Sequence, residues 1–334
     1  MRVTIKEVAA EAGVSYQAVS AVLGSCSYAR ASEETRKKIY EAAEKLGYVP
    51  NISARILQGR SSGMIGVLID PLASQITFNI LFELEKAASR RNCRLLIFEA
   101  HDNPARLQEA CREMQQYSVD GVIALAHTYP GIGSVLDNFD DSLAVVPVLD
   151  ILPGKYHAVV NDTAAGIAAA ARHLVDSGYR NVVLLTSGNF DYPSSRQRVE
   201  GFREVLPENP IFFLRAADET EQMAEELKRI VPEIIAHKAD AIVCYNDLTA
   251  AAVIRELRAN NLQVPEDVGV TGFDDSSFCT VLDPPLTSVA PDFAAMADNV
   301  FKLLEQRIAG ERKNIFTAVQ PCLKIRKSSL KHSK

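Results

Sequence analysis

The stretch from Val3 to Leu23 restricts this chain more than any other. Thr4 followed by Glu7 forms a capping box, in which each side chain satisfies the other's backbone N–H, and it predicts a helix starting at Ile5. Ile5, Val8, Ala9 and Ala12 give that helix one apolar face, and Gly13 stops it as a left-handed cap. Ser15 can cap a second helix at once, with Ala18, Val19, Val22 and Leu23 on its buried side. Two short helices joined by a tight glycine-containing turn make a helix-turn-helix. The outer face of the second helix carries Ser15, Tyr16, Gln17, Ser20 and Ala21, where polar groups are needed to meet base edges in a major groove. Spacing alone leaves an ordinary amphipathic helical hairpin as an equal alternative.

After a polar turn over residues 24–31, Ser32 caps a third helix with an inward stripe of Ile39, Ala42, Ala43 and Leu46, ended by Gly47. Arg36, Lys37 and Lys38 near its start suit either phosphate contact or a solvated face. Pro50 forces Val49 into an extended conformation, and Asn51 permits a new helix. The segment Ile52 to Gln58 is too short to be a stable helix by itself, and Gly59-Arg60-Ser61-Ser62-Gly63 is a linker by composition.

Residues 1–60 resemble the DNA-binding head of the lac repressor family of bacterial transcription regulators. The resemblance is carried by Thr4-Ile5-Lys6-Glu7-Val8-Ala9, Ala12-Gly13-Val14-Ser15, Val19-Ser20, Ser32-Glu33-Glu34-Thr35-Arg36, Leu46-Gly47-Tyr48-Val49-Pro50-Asn51 and Ala54-Arg55-Ile56-Leu57. It implies a head at 1–50, a hinge helix and linker at 51–63, and an effector-binding and dimerisation core at 64–334. The hinge helix would fold only when two copies meet over the centre of an operator. Leu57 would wedge into the minor groove, as an apolar side chain that unstacks a base step does, and Ala54 would let the paired helices pack. DNA contact is thus expected at Thr4, Ser15, Tyr16, Gln17, Ser20, Asn51, Ala54 and Leu57. Ala21 stands where the family has an arginine, and alanine can contact neither phosphate nor guanine.

From Met64 short apolar strands alternate with helices, which predicts parallel sheets covered on both faces. Strands are expected at Met64–Ile69, Arg94–Phe98, Gly121–Leu125, Ala144–Leu149, Ala158–Val160, Val182–Leu185, Ile211–Leu214, Ala241–Cys244 and Val268–Gly272. So many strands imply two doubly wound lobes. Asp120-Gly121-Val122-Ile123 and Asp240-Ala241-Ile242-Val243 read as an internal echo. The fold class is therefore α/β, an all-α head joined to a two-lobed parallel-sheet core like that of periplasmic sugar-binding proteins. By resemblance, the tail from Phe293 crosses back between the lobes.

Ligands in open parallel sheets bind beyond the carboxyl ends of the strands. Those ends lead into Asp70-Pro71-Leu72, His127-Thr128 and Asp150 in the first lobe. In the second they lead into Thr186-Ser187-Gly188, then Ser194 to Arg198, Tyr245-Asn246-Asp247 and Phe273-Asp274-Asp275. Such groups can hold a polar small molecule, or they can merely cap helices and brace turns. Arg198-x-x-Gly201-Phe202, Asn246-Asp247 and Gly272-Phe273-Asp274-Asp275 resemble the family's effector motifs, which implies ligand contact at Arg198, Asn246 and Asp274. Asp70 and Phe78 complete the expected effector set, although Ile76-Thr77 replaces the aromatic pair common at this point, which leaves the ligand's stacking partner open.

Charge supports this division. The chain carries −6 overall, yet residues 1–60 hold nine Lys/Arg against six Asp/Glu, so a head of +3 precedes a body of −9. Such a head approaches phosphate while the body is repelled. The six cysteines have no paired spacing and read as buried thiols, with no metal site or cofactor expected. Five histidines stand singly and His332 lies in a basic tail. No glycine-rich phosphate loop or nucleophile elbow is present, so an enzyme is not expected. A chain that enters a capped helix without an apolar leader is expected in the cytoplasm rather than exported as a sugar-binding protein. The expected partners are operator DNA, a second copy of the chain and a small-molecule effector, a sugar first of all, with no membrane.

Overall fold

In the head the capping box is closed from both sides. Thr4 Oγ1 accepts Glu7 N–H at 3.4 Å, and the Glu7 carboxylate takes Thr4 N–H at 2.7 Å. This opens α1 (Ile5–Ala12), which stops on Gly13 at φ 64°. Ser15 Oγ accepts Ala18 N–H at 3.2 Å and opens α2 (Tyr16–Leu23). α3 (Glu33–Leu46) begins on Ser32 and ends on Gly47 at φ 63°. Their inner faces bury Val8, Val19, Val22 and Ile39 with three alanines, Ala9, Ala42 and Ala43. A core of so little volume leans on its caps, each contributing about 1 kcal/mol.

The computed structural model describes residues 3–23, 31–49, 56–57, 59, 61–69, 75–99, 104–125, 143–149, 157–217 and 219–331. Contacts divide the chain into two units, Met1–Gly63 and Met64–Lys334. In the second unit, β1 (Met64–Ile69), α4 (Gln75–Arg90), β2 (Arg94–Glu99), α5 (Pro104–Gln116), β3 (Gly121–Leu125), β4 (Ala144–Val148) and β5 (Ala158–Asn161) build the first lobe. The second lobe takes α6 (Thr163–Asp176), β6 (Val182–Ser187), α7 (Pro193–Val205), β7 (Ile211–Leu214), α8 (Thr220–Ala236), β8 (Ala241–Cys244), α9 (Asp247–Ala259), β9 (Gly269–Phe273) and β10 (Thr287–Ala290). The chain then returns with α10 (Phe293–Ile308) and β11 (Phe316–Val319) to the first lobe and with β12 (Cys322–Lys324) to the second.

The strand orders are β11-β5-β4-β3-β1-β2 and β12-β10-β9-β8-β6-β7. Neighbours run parallel except β10 and β12. Each sheet buries apolar clusters on both faces, as the near-continuous apolar strands require. The sequence echo is real repetition, since Asp120 and Asp240 each precede the third strand of their lobe. Asp120 N–H bonds Met64 O at 2.8 Å, and Asp240 N–H bonds Asn181 O at 3.1 Å. All nine expected strands form, with ends shifted by two residues at most. β10 was not expected, because Thr287 and Ser288 interrupt its apolar pattern although both are fully buried.

Three crossings join the lobes: Asp162, residues 291–292 and residues 320–321. Asp162 ties two of them together. Its Oδ1 caps α6 by accepting Ala165 N–H at 3.0 Å, its Oδ2 accepts Gln320 Nε2–H at 2.6 Å, and its own N–H bonds Val319 O at 2.9 Å. Among the described residues no helix is long and apolar enough to cross a membrane.

Candidate functional site

Tyr16 is 48% exposed and Gln17 is exposed at the start of α2, while Val19 and Val22 behind them are buried. Ser20 and Ala21 are half-buried. Ser15 serves as the cap of α2. The Thr4 hydroxyl is engaged on both sides, accepting Glu7 N–H and donating to the Glu7 carboxylate at 2.8 Å, so it shapes the head instead of offering a free donor. Lys38 pairs with Glu34 at 2.8 Å and Lys37 with Glu41 at 3.9 Å, all four exposed. Such pairs are weak, and phosphate can replace the carboxylate at little desolvation cost. Leu57 is 89% exposed, and Asn51 and Ala54 lie outside the described residues.

In the core, a cavity of about 40 Å³ lies where the carboxyl ends of β4, β5 and β9 meet α7 and the crossing at residues 291–292. Ile76, Leu149, Phe273 and Phe293 give it apolar walls, and Asn161, Thr163, Ser194, Gln197, Arg198 and Asp274 supply polar groups. Arg198, 3% exposed, lies on α7 rather than at a strand end, because β6 runs into a loop and Pro193 starts the helix before Arg198 is reached. Its Nε donates to Tyr245 O at 3.2 Å. Its guanidinium stacks 4.4 Å from the Tyr245 ring centre and 5.1 Å from that of Phe273. Among the described residues Nη1 has no hydrogen-bond partner, and neither does Asp274 Oδ1, although both atoms are buried. Buried polar atoms cost free energy when unpaired, so a donor and an acceptor held open at one cavity mark a place for a polar ligand. Burial pushes the Asp274 carboxyl up to about 7, helped by the nearby charge of Asp247 and opposed by Arg198.

Three expected effector residues fare differently from Arg198 and Asp274. Phe78 is 57% exposed and takes no part in the lining. It lies two positions beyond Ile76 on α4, and a helix turns such neighbours to different faces. Asn246 does not line the cavity either: its Oδ1 accepts Thr249 N–H at 2.9 Å and caps α9, which is what asparagine does best at a helix start. Asp70 lies outside the described residues, as do His127, Thr128 and Asp150. The lining gains Asn161 and Thr163, which the strand-end rule would have found at β5, and Leu149, whose φ of 78° no sequence pattern announces. Of the cysteines, Cys111, Cys244 and Cys279 are buried, Cys93 is half-buried and Cys322 is exposed. No metal-holding group of His, Cys, Asp and Glu is found among the described residues.

Comparison with known proteins gives both parts a relationship. Residues 4–51 match the bacterial regulatory proteins of the lacI family, and residues 171–329 match the periplasmic binding protein-like domain. The HTH-type transcriptional repressor PurR of Vibrio parahaemolyticus is 26% identical over 331 residues, 97% of each chain. The HTH-type transcriptional regulator DegA of Bacillus subtilis is 25% identical over 323 residues, 94% of each chain. Among solved structures, the lac repressor dimer bound to operator and the anti-inducer ONPF shares the fold with a TM-score of 0.81 at 24% identity, covering 99% of this chain and 100% of that one. The transcriptional regulator CelR–cellobiose complex does so with a TM-score of 0.69 at 24% identity, covering 98% and 100%. The chain thus joins a lacI-type DNA-binding domain to a periplasmic binding protein-like domain, and over nearly its whole length it is similar to HTH-type transcriptional repressors.

Proposed function

We propose that two copies of this chain form an operator-binding repressor whose grip on DNA is set by a small molecule in the core cavity. Residues 1–50 read the half-sites, 51–63 act as hinge and 64–334 bind effector and partner. The observation that carries this reading is the pair of buried, unpaired atoms Arg198 Nη1 and Asp274 Oδ1 at one cavity. A ligand bearing an acceptor beside a donor satisfies both, and sugar hydroxyls offer both roles. The cellobiose complex of a regulator with the same fold supports a sugar. A non-sugar corepressor is the second reading, favoured by the apolar walls at Ile76, Leu149, Phe273 and Phe293.

A cavity of about 40 Å³ has room for only a few waters at most, so the lobes must part to admit either ligand. The lobe angle that the ligand then selects sets the spacing of the two hinges, and operator affinity follows by linkage. The site of action is the cytoplasm, with no cofactor. A gel-shift titration on the gene's own promoter region, with a metabolite panel, tests the reading. A metabolite should shift operator affinity in the wild type and leave Arg198→Ala unmoved. An equal response in both would remove the cavity from the mechanism. In the same assay Leu57→Ala should weaken specific binding and reduce DNA bending while sparing non-specific binding.

A further inference from the structure

Asp274 in the turn after β9 and Asp247 at the start of the neighbouring α9 are both buried carboxyls, the charge of one acts on the other, and they are not equivalent. Asp247, the first residue of α9, is 1% exposed. Its Oδ2 accepts Ser276 N–H at 2.6 Å, and its Oδ1 accepts the Ser288 hydroxyl. Ser288 Oγ in turn accepts Asp275 N–H at 3.0 Å. These bonds brace residues 274–276, of which Asp274 and Asp275 have φ of 101° and 49° in the left-handed region. A Cβ built on Gly272 would come 2.3 Å from Asp247 Oδ1, so this carboxylate lies directly on the β9 backbone. Asp274 joins the cavity lining, and among the described residues no group donates a hydrogen bond to its Oδ1. Burial pushes both carboxyls up, but the donors of Ser276 and Ser288 oppose that rise at Asp247 while Asp274 has no such donor, so of the two Asp247 is the one that keeps the charge.

The other charged or titratable groups nearby leave that outcome in place. Arg198 attracts the charge of Asp274, but its Nε is held by Tyr245 O and its face by two rings. Asp275 is paired with Arg326 at 2.7 Å. The Cys244 and Cys279 thiols beside Asp247 are pushed up by burial and stay neutral.

We propose that Asp247 is a positioning residue of the cavity: fixed by Ser276 and Ser288, its charge aims Asp274 inward and keeps that carboxyl protonated. The regulatory consequence rests on the effector reading above. A ligand that binds the Asp274 carboxylate more tightly than the neutral carboxyl releases a proton as it binds, so its affinity rises with pH up to neutrality. A ligand presenting an acceptor, such as a carboxylate, finds two donors there instead, and its affinity falls as pH rises.

Carbon-13 NMR of the full chain, titrated between about pH 5 and 9 with no ligand added, tests the assignment. Asp274→Asn identifies the resonance, which in the wild type should titrate near neutrality. Asp247→Asn keeps an acceptor for Ser276 N–H and removes the charge, so the Asp274 midpoint should fall by roughly one pH unit or more. Ser288→Ala removes one donor from Asp247 and should move the midpoint the same way by less, which decides the matter if the first variant fails to fold. A purely structural Asp247 would leave the midpoint unmoved in any variant that folds. That result, or an Asp274 that titrates in the ordinary carboxylate range in the wild type, overturns the proposal. Failure to find any binding metabolite would count against the effector reading and leave the titration result standing.

Discussion

Charge in the head lies where water reaches it: the partners in Lys38–Glu34, Lys37–Glu41 and Lys45–Glu11 all keep at least a third of their side chains accessible. In the second lobe Arg198, Asp247 and Asp274 are 3%, 1% and 8% exposed. Exposed pairs contribute little to stability, weaken with salt and exchange easily for phosphate. Buried charges are held by few specific donors, and their state shifts with pH and with the shape of whatever fills the cavity. Under the proposed function, the head can meet a phosphate backbone by re-pairing, while the core discriminates between small molecules by hydrogen-bond complementarity.

The strongest way to separate the two regions is to damage one alone. Phe202, fully buried between α7 and the second sheet, should cost the core roughly 3–5 kcal/mol as Phe202→Ala, while the amide spectrum of the head stays unchanged. Calorimetry with head-resolved NMR checks this, and a head that melts with the core would break the comparison. Next comes Asp274→Asn. A carboxyl whose folded pKa is about 7 binds its proton more tightly than in the unfolded chain, so its contribution to stability is present at acid pH and lost as pH rises towards 7. The asparagine variant escapes that loss and should gain stability on the order of 2–3 kcal/mol over the wild type near pH 8, the gain shrinking towards pH 5. Melting curves at the two pH values decide it.

Arg198→Ala should abolish effector response and lower core stability by roughly 2 kcal/mol, through the lost bond to Tyr245 O and the lost stacking on two rings. A variant that melts early yet keeps native effector affinity in calorimetry would reduce Arg198 to a brace. Gln17→Ala should relax base preference at one position per half-site, by roughly 1–3 kcal/mol, with the melt unmoved. Unchanged selection from a random operator library would contradict it. The smallest effect is expected at Thr4→Ala, about 1 kcal/mol of head stability from the opened capping box, visible in a melt of the head signals alone.

The head was legible because its signals are local. Thr4 and Glu7 lie three residues apart, and Gly13 and Gly47 end helices by a conformation that other residues resist. The alternating core was legible for the same reason, strand by strand. The cavity was legible only in part. Arg198 and Asp274 were expected at it, but nothing local distinguishes an asparagine that meets a ligand from one that caps a helix, and Asn246 caps. Phe78 and Ile76 differ only by which way α4 turns them, and that is set by packing against residues far away in sequence. The placement of β10 depends on hydrogen bonds to hydroxyls of the short helical turn Lys327–Ser329. Thr287 Oγ1 bonds Ser329 Oγ at 2.6 Å, and Thr287 N–H bonds Ser328 Oγ at 2.8 Å, from partners some forty residues away.

The triple crossing between the lobes dictates an order of events on the ribosome. The three-helix head closes with residues 3–49 and can fold while most of the chain is still unmade. The first lobe cannot: Met296, Val300, Phe301 and Leu304 of α10 belong to the same apolar cluster as Ile65 and Val67 of β1, and β11 closes its edge beside β5. The second lobe waits in turn for β12 and for Ser328, whose hydroxyl bonds Val270 O at 2.7 Å. Both lobes therefore remain unfinished until residues 316–329 have left the exit tunnel. A nascent chain paused before that point would display a finished DNA-binding head on two open sheets, each with an unpaired edge exposed to aggregation.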